Sequence, residues 1–198
     1  MALKITVING SYRRGGITDQ AAEAAAAAAR AGGAEVEMIR LAERRVEFCL
    51  NCRACTQEPG PARGRCVQRD DMDAILDSIE ASSGLILAAP VNFFNVNALT
   101  RRFMERLVPY AWWPWGAMAP APRVKDRKIK AVLITSSAMP SVAGRLLTGS
   151  MRALKMMAAT LGAKTAGTLF VGLASMEEKP ELPARDRRLA ERLGRKLL

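Results

Sequence analysis

Residues 84–91, GLILAAPV, are apolar without interruption. A strand with one wet face alternates apolar and polar residues. An unbroken run of strand length instead calls for cover on both faces, as in a parallel sheet. The rest of the chain supplies matching pieces. LKITVIN (3–9), EVEMIRL (35–41), KIKAVLITS (128–136) and TAGTLFVG (165–172) read as four further strands. Helical segments lie between them. Thr18 and Asp19 offer N-caps to DQAAEAAAAAARA, which Gly32 and Gly33 close. Behind an acidic first turn, Met72, Ile75, Leu76 and Ile79 share one helical face, and Leu99, Phe103 and Leu107 share another. One long helix is expected after the fourth strand, running to about Leu161 with Gly162 as its stop. Leu189, Leu193 and Leu197 mark the last helix.

The order βαβαβαβαβα requires right-handed crossovers and helices on both faces of a parallel sheet. No repeat or flexible linker divides the chain, so residues 1–198 read as one α/β domain. Two segments interrupt the regular units, a cysteine-rich loop at 48–70 and an aromatic insertion at 109–126 that contains PYAWWPWGAM.

Charge and composition narrow the partners. Lys and Arg number 30 against 19 Asp and Glu, a net charge of +11, which favours phosphate-bearing molecules. The basic residues are dispersed and lack the aromatic interleaving of a nucleic-acid motif, so no nucleic-acid partner is expected. With 0 histidines, His-based catalysis and His-ligated metals are excluded. The start MALKITVING lacks a basic n-region and a cleavage site, and no stretch approaches the roughly 18 apolar residues of a membrane span. A cytoplasmic protein is the expectation.

Ligands of open parallel sheets sit beyond the carboxyl ends of the strands, where strand order reverses. The loop after the first strand, NGSYRRGGITD, leads glycines and hydroxyls into a helix N-terminus, a natural nest for a phosphate. Ser11, Arg13 and Thr18 are its candidate side chains. The loop has neither GxGxxG spacing nor a GK[ST] ending, which disfavours dinucleotide and P-loop readings; a plain βα turn is the alternative. In APVNFFNVNALTRR, after the third strand, Phe93 and Phe94 can flank a planar ring while Asn92, Asn95 and Asn97 bond its edge. Alternatively the phenylalanines cap the core and Asn95 or Asn97 caps the next helix.

All four cysteines, Cys49, Cys52, Cys55 and Cys66, lie in FCLNCRACTQEPGPARGRCVQRDDM. A reducing cytosol argues against a permanent disulfide framework. Four uses stay open: a cluster, a zinc ion on four thiolates, a regulatory disulfide, and cysteines that bind nothing. Zinc more often shows two separated CxxC pairs.

GSYRRGGIT resembles the GSxRxxGxT phosphate loop of the flavodoxin-like, NAD(P)H-dependent FMN reductases. APVNFFNVNALTRRFMER is similar to their segment of PVY, small residues and K-x-F-x-D-R. CLNCRAC, Cys66 and RDDM are similar to the cysteine segment of the iron-sulfur flavoprotein branch. The three motifs come in the family's order and cover nearly the whole chain. The resemblance implies a five-stranded flavodoxin-like sheet of order 2-1-3-4-5, non-covalent FMN, and assembly as a homodimer or homotetramer. By that resemblance Ser11, Arg13 and Thr18 would hold the FMN phosphate. Pro90, Val91, Asn92, Phe93 and Phe94 would line the isoalloxazine, and Ser136, Ser137, Ala138 and Met139 would form a third FMN loop. The four cysteines would hold a [4Fe–4S] cluster, although the gap before Cys66 is longer than the family's; a flexible loop closes it at little extra entropy. Ile17 stands where the family often has Asn, and Asn92 replaces the usual Tyr.

The function implied is hydride transfer from NADPH or NADH to a small acceptor: a quinone, nitro or azo compound, free flavin or metal ion. No protein general base is demanded, in keeping with the absence of histidine. The Trp112–Trp115 segment is expected at a subunit contact. The competing reading is a non-enzymatic FMN electron carrier that docks to redox proteins; such carriers are generally acidic, and this chain is basic.

Overall fold

The structure, a computed structural model, describes residues 3–124 and 129–198. The first half contains β1 (Lys4–Asn9), α1 (Ile17–Ala31), β2 (Glu35–Arg40), α2 (Met72–Glu80), β3 (Gly84–Asn92), β4 (Asn95–Val96) and α3 (Ala98–Glu105). The second contains β5 (Ala111–Trp112), β6 (Ala121–Pro122), β7 (Ile129–Ser136), α4 (Ser141–Leu147), α5 (Ser150–Thr160), β8 (Ala163–Val171) and α6 (Ala184–Arg195). Lys128, the first residue of the expected fourth strand, lies outside the described residues, as do Lys125 and Asp126 of the aromatic insertion.

The sheet runs β2-β1-β3-β7-β8 with every neighbouring pair parallel. This is the expected 2-1-3-4-5 order, with β7 and β8 as the fourth and fifth strands. The apolar run that called for a doubly covered strand is β3, buried from Gly84 to Ala89. Its side chains alternate between two cores. Leu85, Leu87 and Ala89 join α2, α3 and α5 through residues such as Ile75, Phe103 and Leu154. Ile86 and Ala88 face the alanines of α1 together with Leu193 and Leu197. The alanine face of α1 also lets α6 approach closely: a Cβ added at Gly194 would lie 2.0 Å from the Ala25 carbonyl oxygen.

Three local expectations are corrected. Thr18 and Asp19 do not cap α1. Its N-cap is Gly16, without a side-chain bond, because both polar side chains are engaged elsewhere, as described below. The single long helix before Leu161 is two helices, α4 and α5. Extended backbone at Thr148 breaks it, and the Gly149 amide leaves the helical ladder to donate to the Phe94 carbonyl at 2.7 Å. The sheet also gains a short antiparallel partner, since β4 folds back on β3, and β5 pairs β6 in a separate two-stranded ladder inside the aromatic insertion. Asn97 does cap α3, accepting from the Thr100 amide at 3.1 Å.

Candidate functional site

Three loops meet at the carboxyl end of the sheet, beside the β1/β3 switch point, and enclose a cavity of about 330 Å³. Drug-sized ligands and cofactors occupy clefts of this scale. The first loop contributes Ser11, Arg13 and Thr18, the second Pro90, Val91 and Asn92, and the third Ser136, Ser137 and Ala138. Phe93, Phe94 and Met139, expected beside them, are not on the cavity wall.

Buried polar side chains hold the first loop in place. Asn9, wholly buried at the end of β1, accepts the Ser11 amide on Oδ1 (2.9 Å) and donates from Nδ2 to Asp19 Oδ1 (2.6 Å). Asp19 Oδ2 accepts the Gly15 amide at 2.7 Å, and Arg40 pairs with the same carboxylate. Arg40 also donates to Glu23 (2.7 Å). Ser11 Oγ accepts the Arg13 amide (3.2 Å) and donates to the Arg13 carbonyl (3.0 Å). What remains turned to the cavity is the beginning of α1, whose first amides have no intrahelical partners and carry the positive end of the helix dipole. An anion is the natural occupant of that end. The Thr18 and Ser136 hydroxyls share a 2.6 Å hydrogen bond, joining the first loop to the third across 118 residues of sequence.

The segment after β8 adds Ala174, Ser175 and Pro180 to the wall, residues missed in the sequence. The available clue is topological, because this segment leaves the same sheet edge as the other three loops. It is tied down by Arg13, which donates to the Glu178 carbonyl (2.6 Å). Gln20 adds two bonds, donating to the Pro180 carbonyl (2.8 Å) and accepting the Leu182 amide (2.9 Å).

Phe93 and Phe94 form the two-residue turn between β3 and β4. Both have positive φ, 45° and 61°, as a type I′ hairpin turn requires. That conformation costs a residue with a Cβ roughly 1–2 kcal/mol, and glycine or asparagine usually occupies it. Phe93 is fully exposed. Phe94 and, on α4, Val142, Leu146 and Leu147 are exposed as well.

The cysteine loop forms a second centre. All four thiols are free. Burial, and then the neighbouring Cys66, Cys49 and Cys52, push the Cys55 thiol up to about 11. Two sulfurs receive N–H donors: Cys49 from the Asn51 amide (3.4 Å) and Cys66 from Arg106 Nη2 (3.5 Å). The Arg106 and Asp70 side chains are 2% and 1% exposed and pair at 2.5 Å. Among the described residues no three His, Cys, Asp or Glu are arranged around a single metal ion. A cluster differs, because each thiolate binds its own iron corner and the ligands need not converge on one point. Four thiols in one loop, two of them with N–H donors, fit that donor set.

Helix α3 connects the two centres. At its start, Asn97 donates to the Gly10 carbonyl beneath the first loop (2.7 Å); just past its end is Arg106, against Cys66. Nine residue steps at about 1.5 Å each separate them by roughly 14 Å.

Comparison with known proteins agrees with this geometry. The family described as NADPH-dependent FMN reductase matches residues 3–175. The chain belongs to that family. Its sheet order is the flavodoxin-like one. It is 36% identical over 112 residues to an iron-sulfur flavoprotein of Archaeoglobus fulgidus, covering 57% of this chain and 49% of that protein. To the iron-sulfur flavoprotein of Methanosarcina thermophila it is 34% identical over 106 residues, 54% of this chain and 53% of the other. The chain thus spans about half the length of the curated relatives it matches. Among solved structures, the NAD(P)H:quinone oxidoreductase of Methanothermobacter marburgensis superposes with a TM-score of 0.73 at 19% identity, covering 100% of both chains. An FMN-dependent NADH-azoreductase of Bacillus anthracis gives 0.71 at 14% identity, covering 98% of this chain and 99% of that one. Identities this low establish the shared fold. No described helix is long and apolar enough to cross a membrane.

Proposed function

We propose that the chain binds FMN in the three-loop cavity and reduces a small acceptor at the expense of NAD(P)H. The observation that carries this reading is the convergence of Ser11, Arg13 and Thr18 with Pro90–Asn92 and Ser136–Ala138 on one cavity. The start of α1 and the Ser11 and Thr18 hydroxyls suit the phosphate. Pro90, Val91 and Ala138 give the ring an apolar wall, and Asn92 and Ser137 supply polar groups for its edge. FMN supplies the redox chemistry, taking up hydride from a nicotinamide and passing electrons on. The protein's part is to bind and orient; no side chain here is a proton-transfer catalytic residue. Arg13, fixed by the Glu178 carbonyl, adds positive charge at the phosphate end. Quinones, nitro and azo compounds, flavins and metal ions are the acceptor classes an open cavity mouth admits.

The cysteine loop is proposed to hold a [4Fe–4S] cluster through Cys49, Cys52, Cys55 and Cys66. Its four-thiol donor set, the N–H donors to Cys49 and Cys66, and the names of the relatives support this. Reduced thiols and an iron centre suit a cytoplasmic setting. A homodimer or homotetramer is proposed as well. The exposed rings of the Trp112–Trp115 segment remain a candidate contact, and the exposed Phe93–Phe94 turn and α4 offer a second.

The test is the visible spectrum of protein purified without air, before and after NADPH. Two flavin bands that bleach are expected, over a broad brown shoulder lost on exposure to air. A protein that stays colourless after FMN is supplied overturns the reading. Bound flavin that NADPH cannot bleach would favour the electron carrier instead.

A further inference from the structure

The aromatic insertion packs against the cysteine loop of its own chain. Arg53, between Cys52 and Cys55, lies between two indoles, its guanidinium carbon 3.9 Å from the Trp113 ring centre and 4.2 Å from that of Trp115. The Trp113 carbonyl accepts from three side chains of the loop: Arg53 Nη2 (2.6 Å), Thr56 Oγ1 (3.0 Å) and Gln57 Nε2 (3.2 Å). In return the Trp113 amide donates to the Thr56 carbonyl (2.9 Å) and the Trp115 amide to Gln57 Oε1 (3.0 Å). Arg123, just beyond β6, donates to the carbonyls of Gly60 (3.0 Å), Glu58 (2.8 Å) and Cys55 (3.4 Å). The Gly64 amide reaches the Pro109 carbonyl (2.9 Å), and a Cβ at Gly64 would lie 1.7 Å from the Cys55 carbonyl oxygen.

Neither partner is self-sufficient. Between β2 and α2 the loop has only two short 3-10 turns, and a ladder of two residues per strand is marginal by itself. The loop is also strained. Asn51 and Arg53 both adopt left-handed backbone, φ 53° and 59°, one in each C-x2-C step. Side-chain-bearing residues hold that conformation only where the surroundings over-determine it. The kink at Asn51 is what turns its amide onto Cys49 Sγ. Arg53 Nε is buried without a hydrogen-bond partner among the described residues, and the two indoles pack against the guanidinium it belongs to.

We infer that the tryptophan hairpin is a brace that holds the cysteine loop in its kinked, metal-binding shape, with Arg53 as the stacked link between them. Arg53 is then a positioning residue for the four thiols. The inference deepens the iron-sulfur part of the proposed function and rests on it only for the iron readout. Two variants remove the link from opposite sides: Arg53→Met, and Trp113→Leu, which keeps the Trp113 carbonyl.

The experiment takes the full chain loaded with FMN, reconstitutes it without air with ferrous iron and sulfide, and compares wild type with both variants. Iron and sulfide per chain, FMN affinity, and the rate of tryptic cleavage at exposed Arg65 and Arg69 are measured. Expected are an at least threefold loss of iron uptake, faster cleavage, and FMN affinity within twofold of wild type. Iron uptake and cleavage equal to wild type would overturn the brace. So would a parallel loss of FMN, since the effect would then not be local. If wild type itself takes no iron, the cluster reading falls, and cleavage alone decides: faster cutting in both variants supports the brace, and equal rates overturn it.

Discussion

Asp19 and Arg40 form an ion pair beneath the first loop, and Asp19 spends its second oxygen on the Gly15 amide. A buried carboxylate close to a phosphate site would repel the ligand unless its charge were offset, and Arg40 offsets it. The pair therefore shapes the loop without adding net charge. Asp19→Asn removes the charge and turns one of the two acceptor oxygens into a donor, so either the Gly15 amide or the Asn9 and Arg40 donors lose their acceptor. The expected result is about a tenfold weaker hold on FMN, close to 1.4 kcal/mol, with riboflavin affinity unchanged within twofold. Flavin fluorescence quenching measures both.

Asp70 sets the acid limit of the cysteine loop. Burial alone would push its carboxyl up, but bonds from Arg106 and from the Glu47 and Met72 amides hold it below the usual carboxylate range. A pKa depressed on folding gives stability that is complete above the unfolded value, about 3.9, and is lost as pH falls through the folded one. Wild-type melting temperature should fall with acid below about pH 4. Asp70→Asn should be destabilised at neutral pH by roughly 3–5 kcal/mol, since Arg106 is left buried without its counter-charge. Its thermal profile should also be flatter in acid.

The Phe93–Phe94 turn separates stability from assembly. Replacing the pair with Asn-Gly suits the positive φ values and should raise melting stability by about 1–2 kcal/mol. The same change deletes two exposed aromatic rings. If the proposed oligomer assembles through this turn, sedimentation should show a shift towards smaller species; an unchanged distribution rules this turn out as the contact.

Gly194→Ala probes the α1/α6 contact. The added methyl would meet the backbone oxygen of Ala25, which cannot rotate away, so the helices must separate. Destabilisation of about 1–3 kcal/mol is expected from overpacking. Denaturant unfolding checks it, and the cavity, built from other elements, should keep its flavin affinity.

In the iron-free chain, Cys55 should react slowest with alkylating reagents near pH 8, where a thiol with a pKa of about 11 is ionised to roughly one part in a thousand. Its rate should climb about tenfold per pH unit up to pH 11. Mass-spectrometric mapping of alkylated peptides follows this directly.

The sheet was legible because its signal is local. The unbroken apolarity of Leu85–Ala89 and the spacing of Leu99, Phe103 and Leu107 each follow from period and burial, and all are buried as expected. The three cavity loops were legible for a related reason: a parallel α/β order dictates which strand ends meet. What the sequence hid depends on partners far along the chain. The Thr148 break needs the Phe94 carbonyl, and Asp19 looked like a cap because Asn9 and Arg40 could not be seen converging on it. The stacking of Arg53 on Trp113 joins residues 60 positions apart, and no local pattern announces such a contact.

Two of the bonds that close the cavity, Asn97 to Gly10 and Thr18 to Ser136, bridge 87 and 118 residues. Long closures form late, after the loop entropy has been overcome by the surrounding core. During synthesis, a nascent chain can assemble β1, α1 and β2 well before Ser136 has left the ribosome, yet it has nothing to close the cavity with. Closure of the cavity therefore waits for Ser136.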